Sequence, residues 1–292
     1  MEAFACVSDL HGFAPAARKL GVSPSLVTRL VASLEAHLGV RLLNRTTRSV
    51  TLTDAGRRYL ERARTILAGV VEAEAAARRE HVAPFGRFVV AAPETFGRKE
   101  VAPLMTDFLA TYPNVVGELV LSDRIVNLSE GAVDLAVRIG QLGDSSLKAR
   151  VVGGARRVLV ASPSYLAATK RLRRPEDLAD HRTISFSAIT PASEWRFFGK
   201  KPRSVTVKPT LTTNSAEAAV DHAARGGGIA LVVSYQAADR IRNGELEVLL
   251  PSYEPPPFPI QLVYPPGPFP SATLRAFIEL TVATRRWNFV RI

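Results

Sequence analysis

Ser25, Thr28, Arg29 and Ser33 fall on one side of a stretch whose other side is apolar, with Leu26, Val27, Leu30, Val31, Leu34 and Leu38 recurring at helical spacing. Small hydroxyls around one guanidinium suit close approach to a nucleic-acid groove, where Arg, Ser and Thr donate to base edges and phosphates. Ser23 followed by Pro24 reads as an N-cap with proline at the first helical position, and Gly39 as the helix stop. Ser25, Thr28 and Arg29 therefore lie in the N-terminal half of the helix, the half that reads bases. Arg29 is the candidate for guanine or phosphate contact. Arg45 and Arg48 bracket Thr46 and Thr47 between two short apolar runs, 40–43 and 49–52, which read as strands of a basic wing able to hold a phosphate backbone or enter a minor groove. Singly, each residue fits a solvated basic face. Together at this spacing they point to DNA.

Other chemistry finds little support. Cys6 is the only cysteine, so no internal disulfide forms and a reducing compartment is expected. Five scattered histidines show no metal-ligand spacing, and there is no Gly-x-Ser-x-Gly run. An enzyme is not expected, nor any metal or cofactor beyond a small-molecule ligand. Neither a leader-like opening nor an apolar run of membrane-spanning length occurs, which leads us to expect a cytoplasmic protein. Over 292 residues, Lys+Arg 38 against Asp+Glu 27 leaves +11, so a polyanion is the first partner to consider. The charge is unevenly spread: residues 1–64 carry +5, residues 65–83 carry −1 and residues 84–292 carry +7.

The elements that must position these groups follow from periodicity. A short Ala-rich helix over 14–20 ends at Gly21 and precedes the Ser23-capped helix, a helix-turn-helix signature. After the wing, a helix over about 53–80 carries Leu60, Ala63, Leu67, Val70 and Val71 along one side. At about 40 Å it exceeds what a small domain covers, so a second copy of the chain is expected against it, the alternative for this imperfect, Ala-rich stripe being a solvated linker helix. Pro84 and Gly86 mark a boundary. Beyond it, strand-length apolar runs at 87–92, 115–121, 134–139, 158–161 and 229–233 alternate with helical stretches at 99–111, 125–130 and 215–225, an α/β pattern. Nine prolines within 251–270 suit a surface loop around a strand at 260–264, and a helix over 271–286 ends the pattern. Gly226, Gly227 and Gly228 follow a helix and precede a strand, the reverse of a phosphate-cradling loop, and read as a helix stop and turn.

The runs AARKLGVSPS (16–25), LGVRLL (38–43), RTTR (45–48) and LTDAG (52–56) closely resemble the winged helix-turn-helix of LysR-type transcriptional regulators, in the subgroup with Arg-Thr-Thr-Arg in the wing. APETFGR (92–98), DLAVRIG (134–140), DSSL (144–147) and GGGIA (226–230) resemble that family's effector-binding domain. His11-Gly12-Phe13 departs from the family's Gly-Ser-Phe and removes a hydroxyl cap from the second helix, a loss of about 1 kcal/mol. The chain also begins a few residues short of the family pattern, which would trim the first turn of the opening helix.

The resemblance implies an α/β architecture with a DNA-binding domain at 1–58, a linker and dimerisation helix with hinge at 59–86, and an effector domain of the periplasmic-binding-protein type II kind at 87–292. We place subdomain I at 87–161 and 265–292, and subdomain II at 162–264. It further implies a cleft contacted by Glu94, Thr95, Phe96, Ile139, Gly140, Asn214 and Ser215, with Gln141 on the same rim as Gly140. Glu94 stands where the subgroup usually has an apolar residue, and either reads a cationic or hydroxylated group on the ligand or pairs with Arg98, the pair being the expectation. The implied partners are double-stranded promoter DNA, a small-molecule effector and further copies of the chain as dimer or tetramer. The rival is a solute-binding or enzymatic protein using the same cleft.

Overall fold

The computed structural model describes residues 1–45, 50–78, 83–124, 128, 133–143, 146–189, 194–199, 201–266 and 270–291. Thr46, Thr47 and Arg48 of the expected wing lie outside them, as does the helix expected at 125–130 except for Leu128. One compact unit is built on Met1–Gly86, the other on Arg87–Leu128, Val133–Pro266 and Ala276–Ile292.

The first unit runs α1 (Glu2–Asp9), α2 (Phe13–Leu20), α3 (Pro24–Leu38), β1 (Leu43–Arg45), β2 (Val50–Leu52) and α4 (Asp54–Arg78). Phe4, Val7, Ala17, Val27, Val31 and Leu42 form the centre of its core, with Leu60 of α4 beside them. The Ser23 hydroxyl accepts the Leu26 N–H at 3.3 Å, capping α3. Gly21 and Gly39 take left-handed φ values of 66° and 69° at the ends of α2 and α3, the conformation in which glycine ends a helix without strain. The Gly12 N-cap of α2 offers no side chain, as the missing hydroxyl implied.

Two expectations for this unit need correction. The buried face of α3 is narrower than its apolar pattern: Val27 and Val31 are fully buried, whereas Leu30 and Leu38 are 47% and 36% exposed. Leu30 lies about 100° around the helix from Val31, at the edge of the apolar stripe, and Leu38 is the last residue of α3. The first wing strand is Leu43–Arg45 rather than 40–43, with Leu43 opposite Leu52 and Arg45 opposite Val50. Before it, the Glu35 carboxylate of α3 accepts the N–H groups of Leu42 at 2.8 Å and Leu43 at 3.0 Å, and the Leu42 carbonyl accepts the Thr53 N–H at 3.0 Å. Those groups are committed to α3 and to the start of α4, so cross-strand pairing starts later.

The second unit contains, in chain order, β3 (Gly86–Ala92), α5 (Glu94–Phe96), α6 (Ala102–Thr111), β4 (Val115–Leu121), β5 (Leu135–Ile139), β6 (Lys148–Ala155), β7 (Arg157–Ala161) and α7 (Pro163–Ala167). It continues with β8 (Thr183–Phe186), β9 (Glu194–Phe197), β10 (Arg203–Thr206), β11 (Pro209–Thr213), α8 (Ala216–Ala224), β12 (Ile229–Val233), α9 (Ser234–Arg242), β13 (Glu247–Leu249), β14 (Phe258–Tyr264), α10 (Ala272–Thr284) and β15 (Trp287–Phe289). Sheet order is β15-β6-β14-β5-β3-β4 in one sheet and β11-β8-β12-β7-β13 in the other, with β9 and β10 as a separate hairpin. The expected helix at 99–111 starts earlier, because α5 runs through a π turn at Gly97–Val101 into α6. Gly226 and Gly228 both have positive φ in the turn before β12.

Sheet membership moves the subdomain boundaries. β7 pairs with β12 and β13, so 157–161 belongs with subdomain II, and β14 pairs with β5 and β6, so 258–264 belongs with subdomain I. The chain crosses at Arg156 and returns just before Phe258, not at Ser162 and Tyr264. Only one residue separates β6 from β7, so no loop marks the outward crossing in sequence, and Gly153 and Gly154 just before it lie within β6.

Gly56 in α4 makes the tightest approach in the first unit: a Cβ there would lie 2.0 Å from the Leu42 carbonyl oxygen. Gly56→Ala is expected to destabilise this unit by about 1–3 kcal/mol, as overpacking does. Urea unfolding followed by far-ultraviolet circular dichroism checks it, and an unchanged midpoint would refute the close approach.

Candidate functional site

In the first unit the site is the exposed side of α3. Val27 and Val31 anchor its inner side at zero exposure, which turns Ser25, Thr28, Arg29, Ala32 and Ser33 outward, all exposed. Their hydrogen-bonding capacity differs. Ser23 is occupied as the cap and shares a 3.0 Å hydrogen bond with Ser25. Thr28 donates its hydroxyl proton to the Pro24 carbonyl at 2.9 Å, leaving its lone pairs and methyl group outward. Arg29 forms no ion pair among the described residues, so its fork of donors is available. Glu35 ties α3 to the wing strand that carries Arg45. α4 continues from the same core, but Ile66, Val70 and Val71 are about half exposed along it, at 51%, 48% and 45%.

In the second unit the residues after the carboxyl ends of several strands converge. Pro93 follows β3, Asp123 follows β4, Gly140 and Gln141 follow β5, and Tyr235 and Gln236 follow β12. They wall a cavity of about 530 Å³ between the two sheets, the place where open α/β sheets bind ligands. Phe186, Ile189, Val233 and Phe258 supply apolar wall, and Arg157 of β7 supplies a guanidinium. A second cavity of about 500 Å³ adjoins it, sharing Pro93, Asp123, Ile139, Gly140 and Gln141 and adding Arg124 and Arg138.

Burial shapes the charges here. Arg157 is exposed at the cavity, yet the protein around it lowers its pKa from the ordinary value by desolvation, and among the described residues no carboxylate pairs with it. Burial pushes the Asp123 carboxyl up, partly opposed by the hydrogen bond it accepts from the Glu94 N–H at 3.2 Å. Tyr235 is driven well above the usual phenol range, by burial first and then by the nearby Asp123. The neutral amide of Gln236 caps α9, its oxygen accepting the Val233 N–H at 2.8 Å and its nitrogen donating to the Tyr235 hydroxyl at 3.3 Å.

Both crossings between the sheets are joined by one ion pair. Arg156 reaches both oxygens of Glu254, the two side chains being 15% and 12% exposed. Ser234 locks Arg156 from the other side, donating its N–H to the Arg156 carbonyl at 2.9 Å and accepting the Arg156 N–H on its hydroxyl at 3.2 Å. Arg157 and Pro256 to Phe258, the cavity residues of the two crossings, flank this clamp.

Of the residues expected in the cleft, Ile139 and Gly140 line both cavities, with Gln141 beside them. The others do not. Phe96 is fully buried, packing edge-to-face on Tyr235 at 5.2 Å and on Trp287 at 4.9 Å, so it is core and not a ligand contact. Thr95 is 6% exposed and lies outside the cavity walls. Ser215 accepts the Ala218 N–H at 3.3 Å as the cap of α8, and Asn214 is exposed beside it. Glu94 does not pair with Arg98, which instead bonds Glu217 across the unit. Sequence reasoning missed Arg157, Asp123, Tyr235 and Phe258. A cation heading an apolar strand was the available signal for Arg157, obscured by placing the crossing too late.

Residues 1–57 match the family model described as bacterial regulatory helix-turn-helix protein, lysR family, and residues 82–286 match the LysR substrate binding domain. An HTH-type transcriptional repressor of Pseudomonas aeruginosa is 34% identical over 282 residues, covering 96% of this chain and 89% of that one. The regulator CrgA of Neisseria meningitidis serogroup C is 33% identical over 283 residues, covering 97% and 95%. The solved structure of Neisseria meningitidis CrgA, a LysR-type transcriptional regulator, is 32% identical, with a TM-score of 0.63 over 96% of each chain. With both domain models matched in order and full-length relatives alike, the chain belongs to the LysR-type transcriptional regulators, DNA-binding proteins that respond to an effector.

Proposed function

We propose that this regulator binds double-stranded promoter DNA in the cytoplasm as a dimer or tetramer, with α3 in the major groove and the wing on the backbone, and performs no catalysis and needs no cofactor. The observation that carries the DNA reading is the outward row Ser25, Thr28, Arg29, Ala32 and Ser33, held by the buried Val27 and Val31. Arg29 reads a base, while Arg45, Thr46, Thr47 and Arg48 supply phosphate contacts. The uncovered Ile66, Val70 and Val71 of α4 support pairing with a second copy. Among the described residues no helix is long and apolar enough to cross a membrane.

The effector occupies the cavity between the sheets. Arg157, partly desolvated and without an acid partner among the described residues, supports an anionic ligand, and Phe186, Ile189, Val233 and Phe258 support one with an apolar body. Effector binding changes the spacing of dimers within a tetramer, which it can do only by unequal affinity for the two arrangements.

A mobility-shift assay with the DNA upstream of the chain's own gene, at two salt concentrations, tests the DNA reading. Sequence-preferring, salt-sensitive binding at submicromolar protein is expected, and its absence counts against the reading. Arg29→Ala is expected to relax discrimination at one base position by about 1–3 kcal/mol, whereas Arg48→Ala weakens all sequences alike and lowers the salt slope by about one. Equal losses from both would remove that division of labour. For the cavity, a thermal-shift panel of aromatic and aliphatic carboxylates with their matched neutral amides is expected to stabilise only with the acids, and Arg157→Ala to abolish the shift. Stabilisation by the amides, or an unaffected Arg157→Ala, would overturn the assignment.

A further inference from the structure

Away from the effector cavity, the second unit carries a concave cluster that neither DNA reading nor effector sensing uses. Lys170, Arg171, Arg173 and Arg174 place four cations in five residues of irregular chain leading into a short 3-10 turn, Pro175–Asp180. Together with Asp177, Asp180 and His181 these cations wall a cavity of about 460 Å³, so every residue lining it is ionisable.

The two acids there are committed. Asp177 accepts the N–H groups of Arg173 at 2.9 Å and Arg174 at 3.1 Å and the Arg174 Nε at 3.2 Å, while Asp180 pairs with Lys170 at 3.0 Å. The guanidiniums of Arg171 and Arg173 have no acid partner among the described residues. The wall behind is short of an acceptor too. His181 is 8% exposed, and its Nδ1 lies 3.3 Å from the Tyr165 hydroxyl, which itself accepts the Arg182 N–H at 2.9 Å. With the tyrosine proton given to Nδ1, the hydrogen of the neutral ring sits on Nε2, a buried atom with no hydrogen-bond partner among the described residues. Burial lowers the pKa of this imidazole, which favours the neutral ring.

We infer that this hollow is a second ligand site, for a small polyanion bearing a phosphate or phosphate-like group. Two free guanidinium forks, flanked by Lys170 and Arg174, match the bidentate geometry of phosphate oxygens. The concavity favours a compact anion over the long backbone of a duplex. A regulator with this site reads the supply of such an anion independently of the effector in the cavity.

The test is thermal unfolding of the full chain in inorganic pyrophosphate against potassium chloride at equal ionic strength, comparing the native protein with the Arg171→Ser, Arg173→Ser double variant. Both arginines are exposed, and the midpoint of the variant in chloride alone verifies that it folds. A rise of several degrees in the native protein that vanishes in the double variant is expected, and Arg171→Lys, Arg173→Lys should keep part of it. Nitrogen-15 histidine spectra should also move the His181 ring signal, assigned with His181→Gln. An equal rise in native protein and double variant, or none in either, overturns the site. So does a double variant that binds DNA more weakly while pyrophosphate stabilises neither protein, since the patch would then be a nucleic-acid surface.

Discussion

The second unit depends on the ion pair between Arg156 and Glu254. It joins the two crossings between the sheets, where the chain has only one residue of slack on one side and a proline run on the other. Burial raises the Glu254 pKa, and the Arg156 guanidinium opposes that rise. A charge pair this enclosed is a poor source of net stability, because desolvation offsets the Coulombic gain. Removing one partner is another matter, since it strands the other charge at a cost of about 3–5 kcal/mol. The pair therefore specifies a geometry: it sets where Arg157 and Phe258 stand relative to the walls contributed by β5 and β12.

The first unit uses the same device on a smaller scale. One carboxylate, Glu35, holds two N–H groups of the chain entering the wing, and one missing side chain, at Gly56, lets α4 approach the Leu42 carbonyl. Both contacts meet at Leu42 and Leu43, two adjacent residues of the core that tie α3 and α4 to the start of the wing. The outward side chains of α3 themselves contribute little to this packing. They are small and outward, which leaves them open to change without loss of the fold.

Local signals were legible in sequence wherever one residue type decides the geometry. Ser23, Pro24, Gly21 and Gly39 delimit α2 and α3 because caps and left-handed stops act within a few residues. Strands such as Val115–Leu121 and Ile229–Val233 were legible because their apolar runs have clear ends. The misplaced boundaries have the opposite cause. In 148–161 Gly153-Gly154 and Arg156-Arg157 interrupt the apolar pattern, and neither pair says that β6 and β7 lie in different sheets, since both glycines stay inside β6 and the chain remains extended through the crossing. The exposure of Leu30 was likewise invisible, because a helical apolar pattern does not reveal how wide a face the neighbouring helices cover.

The sequence by itself determined the family, the order of the domains, and the outward row on α3 with Arg29 at its centre, since each rests on contacts between residues close along the chain. Tertiary structure alone decided the ligand walls. Phe96, which lies in a family-like run, turns inward against Trp287, nearly two hundred residues away, while Arg157, Asp123 and Tyr235 meet at one cavity from three separate strand ends. Which side of a strand end faces a cleft depends on sheet order and crossing points, and those are set by long-range pairing that no local pattern encodes.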